Sequence, residues 1–173
     1  MFEAQLVVAI QSVFLVSILG EWMAIFLARV LIFAYVPLLL WIWVYGHKVQ
    51  QHIAKEAVWA AGLAILIGES LSLLVLRVRP FLFWDNVVVL IPPPLTGSWP
   101  SIHTATALAM TTALFMINKK LGWFGLLLAA GVALGRVAAG VHYPTDILSG
   151  ALIGFLAYCL VRLGHNALKK IRV

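Results

Sequence analysis

The sequence has 173 residues, of which 64% are hydrophobic and only 10% are charged. Soluble globular domains carry about a quarter charged residues, so this composition excludes an ordinary soluble protein and indicates a bundle of membrane-spanning helices. The formal net charge is +6, but the lysines flank apolar segments, as in membrane proteins, and nucleic acid is therefore not expected as a partner.

The apolar segments predict an all-α integral membrane protein, a single domain over residues 1–173 with a bundle of five to six transmembrane helices. The N-terminal segment 2–19 is either a sixth span or an interfacial helix, because it mixes apolar residues with Glu3, Gln5 and Gln11. Five further segments approach the ~20 residues that cross a bilayer. They cover residues 22–45, 57–76, 101–117, 121–140 and 147–163.

The lysines predict the orientation of the bundle. They occur in the loop 46–56, at 119–120 and in the tail at 169–170. Five alternating spans put these three places at one end, which the positive-inside rule assigns to the cytoplasm. We therefore expect a multi-pass protein of the plasma membrane whose opposite, extracytoplasmic end carries the loop 77–100 and the segment 135–146.

Three polar segments are expected to meet at this extracytoplasmic end. They are RVRPF at 77–81, PSIH at 100–103 and GRVAAGVHYPTD at 135–146. Ionisable residues close to hydrocarbon are costly, so a group of them indicates a functional site.

His142 and Asp146 form one candidate pair within these segments. They are four residues apart and flank Pro144, which suits the first turn of a helix. In such a turn the carboxylate of Asp146 reaches one ring nitrogen of His142, and the other nitrogen is free to act as a nucleophile or base. A purely structural hydrogen bond explains the same spacing equally well.

Two arginines predict a phosphate site beside this pair. Arg79 and Arg136 carry forked N–H donors that suit phosphate oxygens. Ser101 begins a predicted helix, where a hydroxyl and free backbone N–H groups can meet an anion. Each arginine alone is also explained by extension of its charged end to the membrane surface. Their occurrence with two histidines at one end favours the phosphate site.

The order Arg-Pro, Pro-Ser-x-His and Arg-x5-His-x3-Asp resembles the motifs of the type 2 phosphatidic acid phosphatase family, over about residues 55–163. The resemblance implies that His142 attacks phosphorus, that Asp146 orients His142, and that His103 protonates the leaving group. It also implies that the two arginines hold the phosphate, without a metal or another cofactor.

The chain departs from the family pattern at three positions. Ser72 stands where the first motif usually has a lysine, Ile102 replaces the glycine of Pro-Ser-Gly-His, and Gly135 replaces a serine. Arg77 lies two residues before Arg79, and we expect it to supply part of the missing lysine's charge to the phosphate.

The segments RVRPF, PSIH and HYPTD resemble one bacterial branch, the undecaprenyl pyrophosphate phosphatases associated with bacitracin resistance. That resemblance implies removal of the terminal phosphate from the lipid carrier of cell-wall synthesis on the outer leaflet, through a phosphohistidine intermediate. The alternatives are a phosphatase of phosphatidylglycerol phosphate, phosphatidate or another lipid monophosphate, and a non-catalytic lipid-binding or transport protein. In each case the partners are lipids.

Two further features have expected roles. Arg29 and Glu69 lie inside predicted spans, about 12 Å below the extracytoplasmic ends, and we expect a buried ion pair because unpaired charges there are costly. The segment LIPPPLTGSWP at 90–100 lies beside the site, as a lid or as a spacer.

Overall fold

The computed structural model describes residues 2–92 and 95–171, and all regular structure within these ranges is helical. The first helix, α1 (Phe2–Phe14), precedes a long rod made of α2 (Ile18–Ile25), a π-helical turn (Phe26–Val30), a 3-10 turn (Leu31–Ala34) and α3 (Tyr35–Tyr45). The remaining helices are α4 (Lys48–Val75), α5 (Pro80–Phe83), α6 (Ile102–Ile117), α7 (Lys119–Ala138) and α8 (Pro144–Ile171). We call the end where α4 and α7 finish and α6 and α8 begin the site end.

Four helical stretches are long and apolar enough to cross a membrane, judged by length and composition. They are Ile18–Tyr45, Lys48–Phe83, Lys119–Ala138 and Pro144–Lys169. Large apolar side chains such as Trp22, Leu66 and Leu163 are exposed on them, an arrangement that suits contact with lipid and not with water. The predicted all-α membrane bundle is confirmed.

Helix α6 is shorter and lies at the centre, packed against α4, α7 and α8. Its inner positions are small, with Ala105 and Ala109 fully buried. A Cβ atom on Gly154 of α8 would collide with the carbonyl oxygen of Ala105. Small residues let helix backbones approach closely in membranes, so the start of α6 is held in the middle of the site end.

The structure decides between the two alternatives for segment 2–19. Helix α1 has 13 residues, about 20 Å at 1.5 Å per residue, whereas the hydrocarbon core is about 30 Å thick. It packs against α2, α7 and α8. The buried amide of Gln11 donates to the carbonyl oxygens of Val88 at 2.6 Å and Ala138 at 3.0 Å. The segment is therefore a short helix clamped to the site end, and a sixth full span is not formed.

The irregular middle of the rod follows from Pro37. Proline has no N–H to donate, and its ring crowds the carbonyl group of the residue four positions earlier, here Phe33. The two turns before α3 are accordingly 3-10 and π-helical, which are common ways for a helix to absorb such a defect.

The expected ion pair between Arg29 and Glu69 was wrong. Both side chains are exposed, and they form no ion pair with each other within the described ranges. The π-helical turn that carries Arg29 packs against α7, whereas α4 contacts the rod through α3. Equal depth in the membrane therefore does not bring the two residues together. Arg29 interacts electrostatically with Arg136, and Glu69 with Arg79.

Candidate active site

The three polar segments meet at the site end, around His142. This residue lies in the turn between α7 and α8 and is 3% exposed. Its Nδ1 is 2.7 Å from the carbonyl oxygen of Ser98, and its Nε2 is 3.1 Å from Nη2 of Arg136. A carbonyl oxygen only accepts and a guanidinium only donates, so Nδ1 carries the proton and Nε2 presents a lone pair. A nucleophilic Nε2 requires this tautomer.

Asp146 lies in the first turn of α8 and is fully buried. Its Oδ2 accepts from the N–H of Tyr143 at 2.9 Å and is 3.5 Å from Nδ1 of His142. The short hydrogen bond of Nδ1 is donated instead to the Ser98 carbonyl oxygen. The carboxylate therefore supports the imidazole mainly by its charge, and a loop carbonyl shares the orienting role expected of Asp146.

Arg136 ends α7 beside the nucleophile candidate and is 3% exposed. Its Nε is buried and has no hydrogen-bond partner among the described residues, and its Nη1 is a long 3.5 Å from the carbonyl oxygen of Ala28. An unsatisfied buried donor costs about 1–3 kcal/mol, more when it is charged. These free N–H groups, next to the lone pair on Nε2 of His142, are suited to bind an anion.

Arg79 links the loops that surround the site. Its Nε, Nη1 and Nη2 donate to the carbonyl oxygens of Thr96 at 3.2 Å, Val141 at 2.9 Å and Gly97 at 2.9 Å. A guanidinium has five N–H groups, so these bonds leave two for a ligand. Arg79 therefore positions the turn that carries His142 and retains donors for phosphate.

His103 lies in the first turn of α6 and interacts electrostatically with Arg136 and His142. It also lines a cavity of about 360 Å³ whose other walls are mostly apolar, with Ile65 and Met110 among them. His103 thus lies between the charged groups around His142 and an apolar cavity, as expected of a group that meets the bond between a phosphate and a lipid chain.

Ser101 caps α6 and is fully buried. Its Oγ pairs with Oγ1 of Thr104 at 2.9 Å, and its N–H donates to the carbonyl oxygen of Asp146 at 3.0 Å. The residue therefore joins α6 to α8, and the expected contact of its hydroxyl with phosphate stays a prediction.

Arg77 is placed differently from Arg79. Its Nη1 donates to Oδ1 of Asp146 at 2.6 Å and to Oγ1 of Thr145 at 2.7 Å, and its Nη2 donates to Oε2 of Glu3 at 2.6 Å. The guanidinium lies 4.2 Å from the centre of the Tyr143 ring. These contacts engage Arg77 with protein groups. Its phosphate-binding role remains a prediction, and its geometry is that of a counter-ion that positions Asp146.

We expect Arg77→Gln to lower kcat by roughly 10- to 100-fold while KM changes little, because Asp146 loses the ion pair that holds it. Arg77→Lys should recover part of the rate, since a lysine keeps the charge but lacks the paired N–H donors of a guanidinium. Arg162→Gln, at the other end of the bundle, is the matched control. Steady-state kinetics test this. An increase in KM with unchanged kcat would show that Arg77 binds substrate directly.

The three departures from the family pattern coincide with close packing. A Cβ on Gly135 would collide with the backbone of Leu27 and Ala28 in the π-helical turn, and a Cβ on Gly68 would lie 2.9 Å from Cγ1 of Ile102. The hydroxyl of Ser72 donates to the carbonyl oxygen of Gly97 at 3.0 Å. These residues thus hold the scaffold together around the site.

The loop before α6 contributes an element that sequence reasoning missed. Ser98 accepts from His142 through a main-chain oxygen, and its side-chain Oγ is buried with no hydrogen-bond partner among the described residues. A main-chain acceptor has no signature in the amino-acid sequence, apart from the position of Ser98 just before PSIH.

In segment 90–100, residues 93–94 lie outside the described ranges, and Thr96–Ser98 form a wall of the site.

Burial lowers the pKa of His142 to about 4, although the nearby carboxylate of Asp146 opposes this shift. The ring is then neutral and nucleophilic at lower pH than an ordinary histidine, whose pKa is about 6.5. We expect kcat/KM to stay level through pH 6.5 and to fall only toward pH 4, because this ratio reports the free enzyme. Stability should respond with the same sign: it is full above pH 6.5 and is lost as pH falls toward 4. An acidic limb near pH 6.5 that persists in variants of the other histidines would contradict this.

Comparison with known proteins identifies the family of the chain. Residues 53–170 match the family model of the PAP2 superfamily. The chain belongs to the PAP2 superfamily. Its PAP2 relatives include the bacitracin transport permease protein BcrC of Bacillus licheniformis, 33% identical over 84% of this chain and 68% of that protein. They also include the undecaprenyl-diphosphatase BcrC of Bacillus subtilis, 34% identical over 78% of this chain and 71% of that protein.

Two solved structures share the PAP2 fold of this chain. Aquifex aeolicus LpxE superposes with a TM-score of 0.79 at 24% identity, covering 93% of this chain and 94% of that chain. A PAP2 type phosphatidylglycerolphosphate phosphatase from Bacillus subtilis superposes with a TM-score of 0.71 at 20% identity, covering 94% and 86%. The family resemblance drawn from the motifs is confirmed. The chain is a membrane-embedded PAP2 phosphatase of lipid phosphates.

Proposed function

We propose that this PAP2 phosphatase removes the terminal phosphate of undecaprenyl diphosphate, with Nε2 of His142 as nucleophile. One observation carries the proposal. Nε2 presents its lone pair 3.1 Å from the guanidinium of Arg136, whose buried Nε has no hydrogen-bond partner among the described residues. Relatives named undecaprenyl-diphosphatase, such as that of Bacillus subtilis, support the choice of substrate.

The reaction has two steps. In the first, Nε2 of His142 forms a bond to the terminal phosphorus as the bond to the bridging oxygen breaks, and undecaprenyl phosphate leaves. In the second, water attacks the phosphohistidine, the P–N bond breaks, and inorganic phosphate departs with the ring restored. His103 donates a proton to the leaving oxygen in the first step and accepts one from water in the second.

Arg136 and Arg79 stabilise the charge that spreads over the oxygens of the transferred phosphoryl group. Both side chains are almost fully buried, and an electrostatic contact is stronger where water is excluded. This account places the stabilising charge on arginines, so a metal ion has no required part in catalysis.

The setting of the site suits a long-chain lipid. His103 borders the mostly apolar cavity formed by the 3-10 turn, α3, α4 and α6, and the lipid tail is proposed to extend from the site on that side. The lysine distribution supports a cytoplasmic location for the opposite end of the bundle. The site is accordingly proposed to open on the outer leaflet of the plasma membrane.

Phosphate release from purified protein tests this function over lipid mono- and diphosphates with one polyprenyl tail, in the presence of EDTA. We expect turnover in EDTA, the highest kcat/KM on the diphosphate, and inhibition by vanadate, which adopts a five-coordinate form like the transition state. Faster hydrolysis of monophosphates would overturn the proposed substrate. If EDTA lowers the initial rate and a divalent ion restores it, the proposal that Arg79 and Arg136 supply the stabilising charge without a metal is overturned.

A further inference from the structure

A second group of polar side chains lies at the end of the bundle opposite the candidate active site. His52 and Glu56 are one turn apart on α4, and His165 of α8 faces them, so we call these three residues the opposite-end cluster. His52 is about 35 Å along α4 from Val75, at 1.5 Å per residue. The proposed phosphatase reaction makes no use of this cluster.

The cluster brings nitrogen and oxygen donors together. One donor atom from each residue lies within 4.8 Å of the other two, and Nε2 of His52 is 3.4 Å from Oε1 of Glu56. Ligand atoms about 2.0–2.1 Å from a tetrahedral Zn²⁺ are about 3.4 Å apart. Nε2 of His52 is buried, and it makes no hydrogen bond within the part of the chain that the structure describes.

Glu56 is oriented for this geometry by residues behind it. It is 3% exposed, and its Oε2 accepts from Nη1 of Arg162 at 2.9 Å and from the hydroxyl of Tyr158 at 3.2 Å. Its Oε1 is therefore the oxygen that faces His52. Hydrogen bonds to the second oxygen of a ligating carboxylate are a common feature of metal sites, because they hold the first oxygen in place.

We propose that His52, Glu56 and His165 bind a divalent transition-metal ion, with Zn²⁺ as the preferred ion, and that the ion ties α4 to α8. Two imidazoles and a carboxylate are a ligand set that Zn²⁺ accepts, with a fourth position for water. The nearby charges of Lys55, Lys169 and Arg162 oppose a cation, so binding is weaker than in closed four-ligand zinc sites. The ion joins two helices and takes no part in phosphate chemistry.

Zn²⁺ titration of the full-length, chelator-treated protein against a chromophoric chelator tests the proposal. We expect one Zn²⁺ per chain, and at least a 10-fold weaker affinity in His165→Gln and in Glu56→Gln. His47→Gln is the matched control, since this histidine lies at the same end but outside the cluster. If the unaltered chain does not bind Zn²⁺ stoichiometrically, the proposal is overturned, and the contact of His52 with Glu56 is an ordinary ion pair. Equal binding by His165→Gln would place the ion elsewhere and also overturn it.

Two further readouts separate a metal site from a structural contact. Co²⁺ should give the visible absorption of a four-coordinate nitrogen and oxygen site in the unaltered chain and not in His165→Gln. Zn²⁺ should raise the thermal midpoint of the unaltered chain only, because it binds the folded state. Phosphate release by His165→Gln should stay within about twofold of the unaltered chain, which shows that the variant folds and keeps this test independent of the proposed substrate.

Discussion

His142→Ala is expected to reduce phosphate release by about 10³-fold or more while the protein remains folded, because the covalent route loses its only attacking atom. Alanine also leaves Nη2 of Arg136 and the Ser98 carbonyl oxygen without the ring that they contact. Phosphate binding through the arginines should therefore persist in part, and the loss should fall on kcat.

Reactions quenched during turnover test whether His142 carries the phosphoryl group. The unaltered chain, quenched during turnover of diphosphate labelled in its terminal phosphate, should carry an acid-labile phosphoryl group that His142→Ala lacks. His47→Ala is the control, and thermal unfolding of both variants reports folding. Retention of more than a few per cent of activity by a folded His142→Ala protein, or label on that variant, would exclude His142 as the nucleophile.

His103→Ala is expected to reduce hydrolysis of a lipid monophosphate much more than hydrolysis of the matching diphosphate. General acid catalysis contributes about 10²–10⁴-fold, and it matters most for a poor leaving group. A monophosphate expels an alkoxide, which needs a proton as the P–O bond breaks. A diphosphate expels a phosphate monoester, which leaves as a stabilised anion. Hydrolysis of the proposed diphosphate substrate is therefore expected to depend little on His103.

The comparison uses kcat/KM on lipids with the same tail, so that binding of the apolar chain cancels. An aryl phosphate with a good leaving group serves as the internal control, since its hydrolysis needs the least proton transfer. Equal losses on all three substrates would show that His103 positions phosphate and does not act as the acid.

The apolar helices and the candidate pair of His142 and Asp146 were predictable because their causes are local. Pro144 begins α8 and puts Asp146 in its first turn, four positions after His142 and 3.5 Å from its Nδ1. The long apolar segments predicted the spans for the same reason, because contact with hydrocarbon selects residues one at a time. In the sequence Gly135 was only a departure from the family pattern, but the structure shows that the backbone of the π-helical turn occupies the space a side chain would need.

The groups that surround the candidate pair depend on packing between segments that are distant in the sequence. Arg77 reaches Glu3 across a separation of 74 positions, and the acceptor from His142 is a main-chain oxygen of Ser98. Neither contact leaves a pattern in the residue types, because any acidic side chain or carbonyl group at that place would serve.

By itself, the sequence determined that this chain is an all-α membrane protein with one polar site built around His142, since burial preference and short-range spacing are properties of neighbouring residues. Only the tertiary structure decided that α1 is a clamp and not a span, that Arg29 and Glu69 stay apart, and that His52 and Glu56 meet His165. The physical reason is that the packing of the helices decides which charged groups come into contact. That packing depends on small residues such as Gly154, which are far from the charged groups themselves.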